Sequence, residues 1–240
     1  MNALLAFDTA TELMSIALAV RGDVRVVESA GGAQASASLI PAVMRLLGEA
    51  GVTLRELDAI AFGRGPGAFT GLRTACSVAQ GLAFGAGKPV LPIDSLLAVA
   101  EDARDTDQAH SAWVAMDARM NEIYVAHYAF EAGAWRTLEA PFLTTADALN
   151  ARWRVDAPQL VAGNALIAFG SQLQTGTARL APDALPRARA MLTLAATLWA
   201  QGGALDAALA LPLYVRDKVA QTTLEREALR AALPVVERAQ

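Results

Sequence analysis

The stretch FGRGPGAFTGLR, Phe62–Arg73, sets four glycines and a proline in twelve residues, between an apolar run and a helical pattern. Glycine loses more chain entropy on ordering than any other residue, so such a cluster marks demanding backbone geometry. Two readings fit. One is a phosphate cradle, with backbone N–H groups aimed at an anion where a helix begins. The other is a tight strand-to-helix turn. In both, a buried strand over Ala59–Gly63 enters the loop and a helix to about Ala86 leaves it, the signature of an α/β chain. If Gly67 holds a positive φ, a β-branched residue there is strained by about 1–3 kcal/mol.

The flanks extend the pattern. Leu4–Phe7 reads as a short buried strand, Asp8–Thr11 as a turn, Met14–Val20 as a second strand and Val24–Glu28 as a third, joined by a hairpin turn at Arg21–Asp23. Ser38 suits the cap of a helix reaching Ala50, with Pro41 tolerated in its first turn. Pro89–Ile93 is another strand, and Ser95 suits the cap of the next helix. The order is β-hairpin-β, then α-β-α-β-α, which implies a mixed sheet with packed helices. A polar run at Asp105–Ser111 marks a junction. Strands at Trp113–Met116, Ile123–Phe130 and Trp135–Leu138 follow, then Gln159–Gly163 and two helical stretches, the second near Arg187–Trp199. The sequence therefore predicts two domains of similar design, 1–108 and 109–212. Segment 213–240 carries a capping box at Thr222–Glu225 and a C-terminal helix that packs back on the first domain.

Composition narrows the function. Apolar residues make up 54% of the 240 and charged ones 18%, enough for a large core. Net charge is −4 and the sequence has no basic tail or Lys/Arg run, so the clustered cations of an autonomous nucleic-acid binder are missing; the only lysines are Lys88 and Lys218. The one cysteine, Cys76, has small apolar neighbours and reads as packing. The start MNALLAFD lacks a basic signal-peptide region, and the apolar run Ala190–Ala200 is short of the roughly 20 residues a bilayer needs. The expectation is a cytoplasmic protein with no membrane contact.

Known phosphate-binding motifs fail here. The Walker pattern needs a lysine, and none precedes Lys88. Gly65, Gly67 and Gly71 miss the dinucleotide spacing by one residue. What remains is a two-sided grip: the DTAT turn after the first strand and the glycine loop after the fourth. Its candidate residues are Asp8, which would hold a metal ion, with Thr9, Thr11, Gly65, Gly67 and Gly71. The helix over Ser38–Ala50 spreads Leu39, Ile40, Val43, Met44, Leu46 and Leu47 over an arc of roughly 160°, wider than the stripe one core contact needs. Arg45 and Glu49 mark its polar side. The helix after the glycine loop is rich in small residues, which permit close approach of another backbone.

Taken in order, FDTATE at Phe7–Glu12, the glycine loop, GLAFG at Gly81–Gly85, MDARMNEIY at Met116–Tyr124 and PLYVRDKVA at Pro212–Ala220 resemble the TsaB (YeaZ) family nearly end to end. The resemblance implies duplicated ribonuclease-H-like domains of the actin/hexokinase/Hsp70-like ATPase superfamily. It implies a non-catalytic partner of TsaD, working with TsaE and TsaC, in making threonylcarbamoyladenosine beside the anticodon of tRNA. Partners would be TsaD, TsaE and a second copy of the chain, with tRNA met only through the complex. The family's dimer surface maps onto the two helices just described: Leu39, Ile40, Val43, Met44 and Leu47 on the first, Arg73, Ser77 and Gln80 on the second. TsaD-type metal binding uses a His-x-x-x-His pair. This chain has only His110 and His127, with Ala35 where a first-helix histidine would fall. No catalytic residue and no metal ligand is assigned. The Gly-Gly turn that meets adenosine in related ATPases is matched only by Ala162-Gly163-Asn164. No cofactor is required by the chain alone; ATP or ADP with magnesium is expected, if anywhere, at the complex interface. Asp117, Arg119 and Glu122 read as a charged hairpin turn with structural or interface duty. A small-molecule kinase or ATPase is the alternative function, and a metallopeptidase the less favoured one.

Overall fold

The computed structural model describes residues 2–216, so the helix expected after Thr222 lies outside the described residues. Strands β1 (Ala3–Asp8), β2 (Leu13–Val20) and β3 (Asp23–Ala30) form an antiparallel meander. Helix α1 (Ala35–Ala50) leads to β4 (Ala59–Gly65), α2 (Phe69–Ala86), β5 (Val90–Asp94) and α3 (Ser95–Asp102). β4 pairs parallel to β1 and β5 parallel to β4, giving the order β3-β2-β1-β4-β5.

The second half repeats the design. β6 (His110–Asp117), β7 (Ile123–Glu131) and β8 (Ala134–Thr144) form a meander. Helix α4 (Ala146–Val155), β9 (Leu160–Ala162), α5 (Ala165–Phe169), β10 (Arg179–Ala181) and α6 (Ala188–Ala200) follow. The order is β10-β9-β6-β7-β8, with β9 and β10 parallel to β6. In each sheet the first strand of a meander is followed by two parallel strands on its other side. This is the ribonuclease-H-like topology, twice.

The cores explain why β1 is buried along its whole length. Leu5 and Phe7 point to a cluster shared with Ile60, Phe62 and the inner faces of α1 and α2. Leu4 and Ala6 alternate to the other face and meet Ala59, Ala61 and α6. A strand covered on both sides reads as a continuous apolar run, as this one does. Helix α6 follows the second sheet in sequence yet covers the first. Helix α3 follows the first sheet, and its Leu96, Val99 and Ala100 pack with Ala112, Val114 and Tyr128 of the second. The two sheets are thus joined by exchanged helices. Among the described residues no helix is long and apolar enough to cross a membrane.

Two helix starts differ from expectation. α1 begins at Ala35 after a short 3-10 turn over Gly32–Gln34, and the Ser38 hydroxyl donates to the Gln34 carbonyl at 2.8 Å instead of capping. Pro41 accordingly lies inside the helix, on its exposed side, not in its first turn. Ser95 is the first residue of α3, and its hydroxyl is spent elsewhere. β8 is longer than Trp135–Leu138, and α4 was not anticipated. Only four of its ten residues are buried, too sparse a stripe to announce a helix, although Thr145 caps it by accepting from Ala148 N at 3.4 Å.

Candidate functional site

The carboxyl ends of β1 and β6 face a cleft between the two sheets. Thr11, Gly67 and Ala68 line it from the first sheet, and Asp117, Arg119 and Asn164 from the second. The Asp8 carboxylate ends β1 but does not reach the cleft, being 0% exposed. Its Oδ1 accepts from Ala10 N at 2.6 Å and its Oδ2 from the Ser95 hydroxyl at 2.7 Å. Ser95 Oγ in turn accepts from Gly65 N at 3.2 Å. Gly63 leaves the room Asp8 needs, since a Cβ there would sit 1.7 Å from Oδ2. Asp8 therefore ties together the β1–β2 turn, the glycine loop and the start of α3.

This arrangement bears on Asp8 as a metal ligand. Magnesium needs carboxylate oxygens free to face it, and both oxygens of Asp8 are engaged inside the protein. Asp8 does not fit the ion. Thr9 is also buried, its hydroxyl donating to the Gly71 carbonyl at 2.7 Å. Gly65, at φ +108°, has given its N–H to Ser95, and Ala68 N donates to Ala10 O at 2.8 Å. Two of the donors a cradle could aim at an anion, Gly65 N and Ala68 N, are thus spent on the chain itself. Gly67 is not at positive φ. Glycine is needed there because a Cβ would fall 2.6 Å from that of Ala10. Of the six candidates, Thr11 and Gly67 line the cleft, while Asp8, Thr9, Gly65 and Gly71 lie outside its lining. The loop is a tight turn packed on a tight turn.

Burial pushes the Asp8 carboxyl up from its ordinary 3.8 to about 6, and the Ser95 and Ala10 hydrogen bonds offset part of that rise. The folded state therefore holds this proton more tightly than the unfolded chain does. The group's contribution to stability is complete below about pH 4 and is lost as pH rises through about 6, by up to about 3 kcal/mol. Asp8→Asn keeps an acceptor for Ala10 N and removes the titration. Melting temperatures taken from pH 4 to 8 should show the variant gaining on the parent as pH rises. A gap that does not change with pH would mean that Asp8 does not titrate in this range.

The second sheet ends alike. Asp117, at the end of β6, accepts from Arg119 N at 2.8 Å and pairs with its guanidinium at 3.1 Å. Asn164 Oδ1 accepts from Asp117 N at 2.8 Å. Gly163, at φ +114°, packs against β6, where a Cβ would meet the Ala115 carbonyl at 2.3 Å. The Ala162–Asn164 turn is thus a close strand-to-helix packing. His127 stacks on Trp113 with centroids 4.2 Å apart, and burial pulls its pKa down. His110 packs edge-on against Trp135 at 5.4 Å. Among the described residues no three His, Cys, Asp or Glu side chains are grouped to hold a metal. Cys76 is buried against the Ala210 carbonyl, and burial raises its pKa.

The family model for TsaD, tRNA N6-adenosine threonylcarbamoyltransferase, matches residues 29–223. The tRNA threonylcarbamoyladenosine biosynthesis protein TsaB of Haemophilus influenzae is 35% identical over 226 residues, 90% of this chain and 94% of that one. Its Escherichia coli counterpart is 32% identical over 90% of this chain and 96% of its own. The solved structure of YeaZ from Pseudomonas aeruginosa superposes with a TM-score of 0.81 at 37% identity, covering 89% of this chain and all of that one. The chain belongs to the TsaB family.

As a TsaB-family member it presents one outer face worth separating from its core. Leu39, Val43 and Leu47, assigned above to a partner surface, are sealed in the chain's own core with Leu46. Their share of the wide arc is spent on β2 and α2. Ile40 and Met44 are the excess, 45% and 50% exposed. On α2, Arg73 and Ser77 are exposed, and Gln80 is half-buried with its amide donating to the Ala210 carbonyl at 2.9 Å. Phe84, one turn beyond Gln80, is 84% exposed. It is an aromatic among small residues, the one signal by which sequence reading would have found it. The turn between β6 and β7 and the segment Leu213–Arg216, missed as a unit, also line the cleft.

Proposed function

We propose that this chain is a non-catalytic subunit in tRNA threonylcarbamoyladenosine biosynthesis, acting by docking on TsaD. The names of its relatives supply the pathway. The observation that carries the non-catalytic role is Asp8: the strand-end carboxylate that would face a metal–phosphate group is enclosed and doubly hydrogen-bonded. The outer face of α1 and α2, with Ile40, Met44 and Phe84, supplies the docking surface, and a second copy of the chain competes for it. TsaE and tRNA are reached through the TsaD complex. ATP or ADP, with its magnesium, sits on the partner's side of that interface.

Reconstitution tests this. The protein alone should leave tRNA unmodified and hydrolyse ATP negligibly. With TsaD and the remaining enzymes, threonylcarbamoyladenosine should appear among the digested nucleosides, and Asp8→Asn should support it as well as the parent does. ATP turnover by the isolated chain that Asp8→Asn abolishes would overturn the reading in favour of a kinase or ATPase.

A further inference from the structure

The two sheets meet differently on the two sides of the cleft. On the inner side α3 packs on β6, β7 and α6, and Arg187 pairs with Asp102 and Glu28. On the outer side a short extended segment spans the gap. Leu213 N donates to the Arg64 carbonyl on β4 at 2.7 Å. The Tyr214 hydroxyl accepts from Arg73 Nε at 3.0 Å, and its ring lies 5.5 Å from that of Phe69. Two residues on, Arg216 reaches the second sheet, donating to the Ala118 carbonyl at 3.1 Å and pairing with Glu122. All four residues, Leu213–Arg216, line the cleft.

The turn that Arg216 grips is under strain. Arg119, Met120 and Asn121 lie at φ +62°, +57° and +58°, a left-handed run that L-residues avoid. Such a run persists where its surroundings over-determine it. Here Asp117 holds Arg119 N, Ala118 N donates to Glu122 O at 3.0 Å, and Arg216 covers the Ala118 carbonyl. The grip is also poised to release. The Arg216 side chain is only 15% exposed, and its buried Nε finds no partner among the described residues. A buried donor without a partner favours the state that returns it to water. The other polar link across the mouth among the described residues, Glu12 to Arg119 at 3.5 Å, is an exposed ion pair of little strength.

We propose that Leu213–Arg216 is an intramolecular latch across the mouth of the cleft, with Arg216 as its catch. When Arg216 leaves the Ala118–Glu122 turn, the strained residues relax and the sheets part about α3. Opening bares the apolar wall formed by Leu72, Leu96, Val99 and Met116.

Amide hydrogen exchange on the full chain tests it. In the parent protein the Ala118 and Glu122 amides should exchange together, through an opening smaller than global unfolding. Arg216→Ala should speed both by about tenfold or more, and leave β1, β2 and α1 unchanged. It should also raise the fluorescence of the apolar dye anilinonaphthalene sulfonate. Arg216→Lys should fall between, since one ammonium replaces a planar fork only in part. If Arg216→Ala does not fold, Glu122→Gln serves in its place, with an increase of about threefold or more as the supporting result. If these amides exchange only with the β1 core in the parent, or if the variant that folds leaves them at the parent's rate, the latch is refuted.

Discussion

Met44→Glu is expected to leave the fold intact and abolish capture of TsaD. Met44 is half exposed on α1, while Leu39, Val43 and Leu47, which hold the helix to the sheet, face the core. A glutamate at position 44 therefore stays hydrated in the monomer, and the melting temperature should move by no more than a degree or two. Against a partner the same charge loses its water. Without a cation opposite, that costs about 3 kcal/mol, or roughly a hundredfold in affinity. The variant should sediment as a monomer, and tRNA from cells relying on it should lack threonylcarbamoyladenosine. Phe84→Glu, on the neighbouring helix, should behave likewise. Val155→Glu is the control. It places the same charge on an equally apolar, 90% exposed position at the end of α4, and should do none of this. A Met44→Glu protein that still dimerises and binds TsaD would move the docking surface off α1.

The central strands β1 and β4 are legible in the sequence because they are covered on both faces. Leu4–Phe7 and Ala59–Gly63 are unbroken apolar runs, and such runs have few other uses in a chain this size. Helix starts are less legible, because one residue type serves two purposes. Ser38 and Ser95 look like caps, yet one hydroxyl bonds back into its own helix and the other crosses to Asp8, 87 residues away. The same limit applies to the cleft. Asp8 reads from the sequence as the first residue of a turn, but it ends β1, and its enclosure depends on Gly63 and Ser95, which no local pattern links to it. Likewise Arg216 sits in a segment that resembles its family's, while the turn it holds lies 94 to 98 residues earlier. Helix α1 shows the converse: its periodicity marks a wide apolar arc, and only packing separates the exposed Ile40 and Met44 from the buried residues behind them.

Gly71→Ala should cost more stability than any change on the outer face. A Cβ at Gly71 would stand 1.9 Å from the Thr9 carbonyl oxygen and 2.8 Å from its carbon. These are backbone atoms, so no rotamer change relieves the contact. The first turn of α2 and the β1–β2 turn would have to separate. That breaks the Thr9 hydroxyl bond to Gly71 O and strains Ala68 N to Ala10 O, on which the enclosure of Asp8 depends. Overpacking of this kind costs about 3 kcal/mol or more, a large part of the roughly 5–15 kcal/mol that holds a domain together. In a chain of this length that corresponds to a fall of roughly 10 °C in melting temperature, or to insoluble protein. Gly67→Val should fall in the same class, because Ala10 O lies 2.7 Å from its added Cβ. Gly48→Ala measures the opposite sign. It lies on the exposed side of α1 with nothing within 4 Å of its Cβ, so alanine should stabilise the helix by about 0.5–1 kcal/mol. If Gly71→Ala melts with the parent, the two turns are not in contact as described. The glycine loop would then be free to do what its sequence first suggested, and face an anion.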